Sequence, residues 1–386
     1  MMTKRGVILI SIYSHIEAYP PSLNAIFHLA AKFDKVYILH RNVLPAMWNY
    51  PENVHVIAQG EFVHADSVKE LSRLKKIKSY LSFSLKLRRL IRQLQPSVLL
   101  LYDGVAFVLA NLVTSRQFKS TVLWYHNHDV MIQGELPTTS LMRWFRKLEL
   151  RYFHRVDYFT LPTQARLTHF PIEKLKNRPV ILPNFPSLYF FGKWKSNGAN
   201  SDIIRIIFQG QISSSNLIHE LIKFLPYKIK GKAIELHLVG PISDVYQSSL
   251  QALSIELKSA AQLFFYGRLP YSDLPAVTSK CDIGIAYYDE HNVMVKTMST
   301  ASNKIFEYAS VGLPVIMNIR LDMQNEFASY PWMKFVKFDT QQLLNIVEDI
   351  SDNYESYSQN ARADFEASLN FEKAFVPFIQ SILLKK

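Results

Sequence analysis

Ser302-Asn-Lys-Ile-Phe-Glu-Tyr-Ala-Ser-Val-Gly-Leu-Pro-Val-Ile316 reads as a loop, a short helix, a turn and a buried strand. Ser302 and Asn303 carry side-chain oxygens suited to cap the helix by accepting its free backbone N–H groups. Ile305, Phe306, Tyr308 and Ala309 supply apolar faces. Gly312 suits a left-handed helix stop, and Pro314 keeps the helix from resuming. Val315, Ile316 and Met317 then predict a short central strand. A helix start in an α/β domain is an anion site, because backbone donors and helix dipole both favour negative charge. Glu307 is the one acidic side chain in that helix.

The pattern continues on both sides. Upstream, Ile203–Gln209, Glu235–Val239 and Gln262–Tyr266 read as strands, and each is followed by glycine: Gly210, Gly240 and Gly267. Ile283–Tyr287 is a fourth. Ligands of open α/β sheets bind at the carboxyl ends of strands, where glycine lets them approach the backbone. The first half of the chain repeats the alternation. Strands are predicted at Val7–Tyr13, Lys35–His40, Val54–Ile57, Val98–Tyr102, Thr121–Tyr125 and Tyr158–Leu161. Helices are predicted at Ser22–Phe33, Val68–Gln95, Ala106–Phe118 and Ser140–Phe153, so both halves imply parallel sheets. Pro179–Pro186 reads as a rigid extended crossing, and Gly192–Asn200 as a linker.

A chain of 386 residues exceeds the size of one economical core. Two Rossmann-like domains are therefore expected: residues 1–190 and residues 191–370. An apolar share of 48% and a charged share of 20% fit a globular protein and exclude a disordered one. Cys281 is the single cysteine, so the chain holds no internal disulfide, which fits a reducing cytoplasm. Lys4 and Arg5 precede an apolar run that reads as a first strand, too short for a signal peptide. Val98–Val113 is broken by Asp103 and Gly104, which favours a strand and helix over a membrane span. The net charge of +12 lies almost wholly in the first half, so the two halves face different partners.

The stretch from Ser302 to Ile316 resembles the donor motif of family-4-type glycosyltransferases of the GT-B fold. The family pattern is two Glu residues eight positions apart, then Gly-x-Pro-Val. Glu307 fits the second Glu, and Gly312, Pro314 and Val315 fit the turn. Ser299 stands where the first Glu is expected. The variant Ser-x-Asn-Lys-[Ile/Leu]-Phe-Glu-Tyr resembles bacterial members that build surface polysaccharides. The resemblance implies two Rossmann-like domains across a cleft that closes on its ligands through Pro183–Asn200 and the C-terminal crossing, a helix at 371–386 that returns to the first domain. It also implies transfer of a sugar from a nucleotide diphosphate sugar to a glycan or lipid-linked acceptor, with retention, in the cytoplasm. No cofactor is implied, and no Asp-x-Asp metal motif occurs.

The resemblance places the donor among Gly210, Gln211, Gly240, Gly267, Arg268, Leu269, Ser302, Asn303, Lys304, Ile305 and Glu307. One departure concerns the diphosphate. Gly210-Gln-Ile-Ser-Ser-Ser-Asn216 has Gln211 where the family has Arg, and no lysine follows until Lys223. Lys304, Lys296 and Arg268 are the candidate substitutes. Trp124-Tyr-His-Asn-His-Asp-Val130 closes a predicted strand, and the family has a His there that contacts the donor sugar. His128, followed by Asp129, fits better than its rival His126. Asn127 and Asp129 could orient the ring, and a zinc site lacks a third ligand at diagnostic spacing. The acceptor loop falls on Ser14–Ser22, with His15 and Glu17 as candidates and Pro20 and Pro21 arguing for a non-helical shape.

Two basic amphipathic stretches remain. Lys69–Arg92 places Leu71, Leu74, Leu81 and Leu85 near one helical face. Leu141–Phe153 sets Trp144 and Phe145 beside Arg143, Arg146 and Lys147. Both suit either an anionic membrane surface or a core-packed helix with a solvated basic face. No nucleic-acid motif appears. Two other functions share the architecture: a nucleotide-sugar epimerase, and a non-catalytic binding protein, the latter motivated by Ser299 and Gln211.

Overall fold

The computed structural model describes residues 6–62, 72–114, 120–130, 140–196, 198, 202–289 and 296–384. The chain divides into two compact units: Met1–Pro183 with Ala374–Lys386, and Asn184–Lys373.

Unit 1 begins β1 (Val7–Ile12), α1 (Pro20–Ala30), β2 (Lys35–Arg41), β3 (Val54–Gln59) and α2 (Arg73–Leu94). It continues β4 (Val98–Tyr102), α3 (Asp103–Val113), β5 (Val122–His126), α4 (Ser140–Tyr152), β6 (Tyr158–Leu161) and β7 (Val180–Ile181). All strands pair in parallel, in the order β3-β2-β1-β4-β5-β6-β7. β4 sits in the middle and is buried along its whole length, which is why Val98–Tyr102 is a continuous apolar run rather than an alternating one. One layer of core joins Leu9, Leu99, Leu101 and Leu123 to Phe83 and Leu87 of α2, Phe107 of α3 and Phe145 of α4.

Pro20 and Pro21 correct an expectation. They open α1 instead of preventing it. The first helical turn has no N–H bonds for proline to lose, and the fixed proline φ is already helical.

Unit 2 holds α5 (Leu188–Phe191), β8 (Ile203–Gln209), α6 (Ile218–Phe224), β9 (Ala233–Val239), α7 (Asp244–Glu256), β10 (Leu263–Gly267), α8 (Leu274–Thr278) and β11 (Ile283–Ala286). Then follow α9 (Lys304–Ser310), β12 (Val315–Asn318), α10 (Leu321–Glu326), β13 (Met333–Val336), α11 (Thr340–Asp352) and α12 (Tyr354–Ala367). The second sheet is also parallel, in the order β10-β9-β8-β11-β12-β13. The opening motif is therefore α9, a turn at Gly312 with φ +84°, and the inner strand β12. β13 at the sheet edge was not anticipated.

The final helix, α13 (Phe371–Leu384), carries Phe375 and Phe378. Within unit 1 they pack on Trp124 of β5, at ring separations of 6.0 and 5.0 Å. Phe378 also meets Tyr158 of β6 at 5.9 Å. Among the described residues no helix is long and apolar enough to cross a membrane. Leu71, the start of the Lys69–Arg92 segment, residues 115–118 of the expected third helix and most of the linker's tail (residues 197, 199 and 200) lie outside the described residues.

Candidate functional site

Strand order reverses between β8 and β11 in unit 2, and ligands of such sheets gather at the carboxyl ends beside that point. Gln209 ends β8 there. Its backbone N–H donates to the Tyr308 hydroxyl at 2.8 Å, and that hydroxyl donates to Ile285 O at 3.1 Å. α9 is thereby bolted to β8 and β11 at once. Tyr308 fits only because Gly284 of β11 has no side chain; a Cβ there would strike the Tyr308 ring.

The Gln209 side chain, missed by sequence reasoning, completes the arrangement. Its Oε1 accepts from Thr278 at 2.5 Å, and its Nε2 donates to Glu307 Oε2 at 3.1 Å. Glu307 is 4% exposed. Burial pushes its pKa up to about 7, against the opposing pull of Tyr271, Lys304 and Gln209. A buried carboxylate that accepts from Gln209 and Tyr271 keeps further acceptor capacity for hydroxyl groups.

Lys304 lies half-buried, its ammonium 4.2 Å from the centre of the Phe208 ring and 5.3 Å from that of Tyr288. Burial lowers its pKa to about 8, although Glu307 favours its charge. A Cβ placed on Gly210 would lie 3.4 Å from the Lys304 ammonium, so the cation sits directly beside the end of β8. Gly210 N–H donates to Val239 O, and Gly240 N–H donates to Gly267 O at 2.8 Å, lining the three strand-end glycines side by side. Gly240, at φ +142°, admits no other residue, because a Cβ would collide with the Gly210 carbonyl.

The remaining donor-side candidates fall differently. Gln211 is exposed and turns its amide to Pro241 O at 3.2 Å. Arg268 and Lys296 are exposed, and Leu269 is half-buried. Of the three candidate substitutes for the missing phosphate charges, Lys304 is the one shown against Gly210 and Phe208.

The capping expectation holds for only one residue. Ser302 Oγ accepts from Ile305 N–H at the long distance of 3.5 Å and also bonds the Tyr288 hydroxyl. Asn303 does not cap α9: its own backbone is helical, and its Oδ1 is buried without a hydrogen-bond partner among the described residues. Ile305 is fully buried, a core side chain. At Ser299 the carboxylate expected from the pattern stands close by on another element. Ser299 Oγ donates to Glu326 Oε1 of α10 at 2.5 Å.

In unit 1 the order reverses between β1 and β4. Both histidines lie there, at the end of β5, and the structure separates their roles. The His128 ring is stacked between Tyr19 and Tyr102, at 4.6 and 4.7 Å. Its Nε2 is 3.1 Å from Ser22 Oγ, and its Nδ1 is 3.3 Å from Asp103 Oδ2. Both ring nitrogens are engaged.

His126 keeps one free. Trp124 Nε1 can only donate, and it donates to Thr160 Oγ1 at 2.8 Å. Thr160 Oγ1 also lies 2.8 Å from His126 Nδ1, as donor or acceptor according to the His126 tautomer. Its Nε2 is buried and without a partner among the described residues. Burial holds His126 well below the usual histidine pKa, with His128 and Arg166 adding to the effect. His126 is thus a neutral imidazole with one ring nitrogen open to hydrogen-bond a ligand hydroxyl.

Asp129 is exposed, and its N–H donates to Asp103 Oδ1 at 3.2 Å. Asn127 points inward and donates to the Tyr125 hydroxyl at 3.1 Å. On the expected acceptor loop, His15 is buried edge-on to His40 at 4.6 Å. Both Glu17 oxygens are used within the unit, by Met47 N–H at 2.8 Å and the Tyr50 hydroxyl at 3.1 Å. Among the described residues no group of three His, Cys, Asp or Glu side chains is placed to hold a metal ion.

No protein-family model matches this sequence. No curated protein matches it either. Solved structures match closely in architecture. Sucrose-phosphate synthase from Thermosynechococcus elongatus is similar at a TM-score of 0.73 and 12% identity, over 99% of both chains. The chain has the GT-B fold. Anabaena HepE, solved in complex with UDP-glucose, is similar at a TM-score of 0.65 and 14% identity, over 99% of both chains. A candidate UDP-N-acetylglucosamine 2-epimerase from Listeria monocytogenes is similar at a TM-score of 0.56 and 14% identity, over 99% of this chain and 96% of that one. A GT-B fold therefore accommodates more than one reaction, and the choice among them rests on side chains.

Proposed function

We propose that this GT-B protein is a glycosyltransferase that moves a sugar from a nucleotide diphosphate sugar to a glycan or lipid-linked glycan, with retention and without a metal ion, in surface-polysaccharide synthesis. The observation that carries the proposal is the buried Glu307 carboxylate, set by Gln209 beside Lys304 and the strand-end glycines. A carboxylate there binds two ribose hydroxyls, while Lys304 and the glycine backbones receive the diphosphate. Unit 1 takes the acceptor, with His126 Nε2 hydrogen-bonding a sugar hydroxyl. The chemistry asked of the protein is positioning and stabilisation of the leaving diphosphate, whose oxygen takes the acceptor proton. A lipid-linked acceptor brings the enzyme to the inner, cytoplasmic face of a membrane.

Thermal stabilisation by UDP, GDP, CMP and their sugar conjugates tests the donor site. A ligand at 100 times its dissociation constant stabilises by roughly 2.7 kcal/mol. One nucleotide is expected to stabilise the wild type and not Glu307→Ala. If none stabilises a well-folded wild type, the protein does not bind a nucleotide sugar. The fold shared with an epimerase favours a second reading, in which donor alone is converted. Product formed from donor without acceptor selects epimerisation; product that requires an acceptor selects transfer.

A further inference from the structure

Helix α2 has two apolar faces. Phe83, Leu87, Leu90 and Ile91 are buried in the unit 1 core. Leu74, Ile77, Leu81 and Leu85 point the other way and are 79%, 48%, 60% and 62% exposed. At 3.6 residues per turn these four fall within an arc of about 80°, roughly opposite the buried face. Single exposed leucines are ordinary, but four in one continuous helical stripe are not.

The charges around the stripe have one sign. Residues 73–94 contain no Asp or Glu, and Lys78, Arg89 and Arg92 flank the stripe in exposed positions. The neighbouring helix α4 touches α2 through Tyr80 and Phe145, whose rings are 5.1 Å apart. It adds Trp144, 44% exposed, between exposed Arg143 and Lys147. Its one acid, Glu149, is buried and paired with Arg146 at 2.7 Å. A second copy of this face would bring cations against cations. An anionic lipid surface accepts the leucines and the indole among its acyl chains and the lysines and arginines at its headgroups.

We propose that the outer face of α2, with Trp144 of α4, docks unit 1 on an anionic lipid bilayer. This deepens the lipid-linked-acceptor proposal by naming the surface, yet it is tested without any sugar. Purified full-length protein is co-sedimented with phosphatidylcholine vesicles, with and without phosphatidylglycerol. Binding is expected only with phosphatidylglycerol and is expected to fall as salt rises. The double variant Leu81→Glu/Leu85→Glu changes exposed side chains only, and is expected to keep its melting temperature and lose about tenfold or more in vesicle affinity. Val245→Glu, at a site 83% exposed on unit 2, is the control and is expected to bind normally. Equal binding by the double variant, or equal binding to neutral vesicles, overturns the proposal. So does a dimer in size-exclusion chromatography that the double variant dissociates, which assigns the stripe to a second copy. None of these outcomes alters nucleotide binding, so failure here is distinct from failure of the donor site.

Discussion

Asp103 and His128 are joined twice: Asp103 Oδ1 accepts the His128 backbone N–H at 2.7 Å, and Oδ2 lies 3.3 Å from its Nδ1. Asp103 begins α3 in a left-handed conformation, φ +63°, which Asp tolerates better than most residues. Its carboxylate thus ties the end of β4 to the loop that follows β5. Asp103→Ala is expected to cost about 2–3 kcal/mol in urea unfolding, because it leaves buried donors unpaired. Asp103→Asn retains a carbonyl oxygen for the backbone donors and suits the left-handed backbone, so a loss of under about 1 kcal/mol is expected. Equal losses in the two variants would show that the loop does not depend on those bonds.

Glu307 makes stability depend on pH in a definite direction. Its native pKa of about 7 lies above the ordinary value of 4.5. Between these values the native state holds a proton that the unfolded chain has released, so stability falls as pH rises through the window and levels off above it. Glu307→Gln removes the dependence. Relative to wild type the variant is expected to gain on the order of 2–3 kcal/mol between roughly pH 5 and pH 8, while losing nucleotide binding. A constant difference across that range would place Glu307 in a far wetter setting.

Gly284 and Tyr308 predict a different kind of failure. Gly284→Ala drives a methyl group into the Tyr308 ring and pulls its hydroxyl away from Gln209 N–H. Overpacking of this kind costs about 1–3 kcal/mol. Melting of the variant is expected to drop accordingly, and nucleotide-dependent stabilisation to weaken with it because α9 moves. Tyr308→Phe in the same background is expected to recover little, since the ring and not the hydroxyl is in the way.

Ser299 and Glu326 allow a charge-relocation test. Ser299→Glu alone sets a second carboxylate against Glu326, and two carboxylates sharing a site cannot both ionise cheaply. That variant is expected to melt lower and to lose donor-induced stabilisation. Ser299→Glu with Glu326→Ser reverses the arrangement and is expected to restore both. Failure of the double variant to improve on the single one would separate this pair from the donor site.

Most of the fold was legible because parallel strands announce themselves. Val98–Tyr102 and Tyr158–Leu161 stand where their apolar runs put them. β13 was not legible: Met-Lys-Phe-Val at a sheet edge is half-buried and carries a lysine, so it lacks the run that marks an inner strand. Glu307 was legible because a local motif surrounds it. Gln209, Thr278 and Tyr271 were not: Gln209 and Tyr271 reach Glu307, and Thr278 holds Gln209, from separate elements that carry no shared spacing. The preference for His128 over His126 came from the adjacent Asp129. The partner that occupies His128 is Asp103, 25 residues away, and only the folded backbone brings it there.

Unit 2 is one unbroken run of chain, while unit 1 is completed by residues 374 onward, whose Phe375 and Phe378 cover Trp124. On the ribosome every strand of unit 2 has been made before those phenylalanines exist. The residues of the second unit are all made by then, whereas the first keeps an indole uncovered until residues 375 and 378 have been added. A premature stop just ahead of codon 374 therefore spares the later-made unit and injures the one made first.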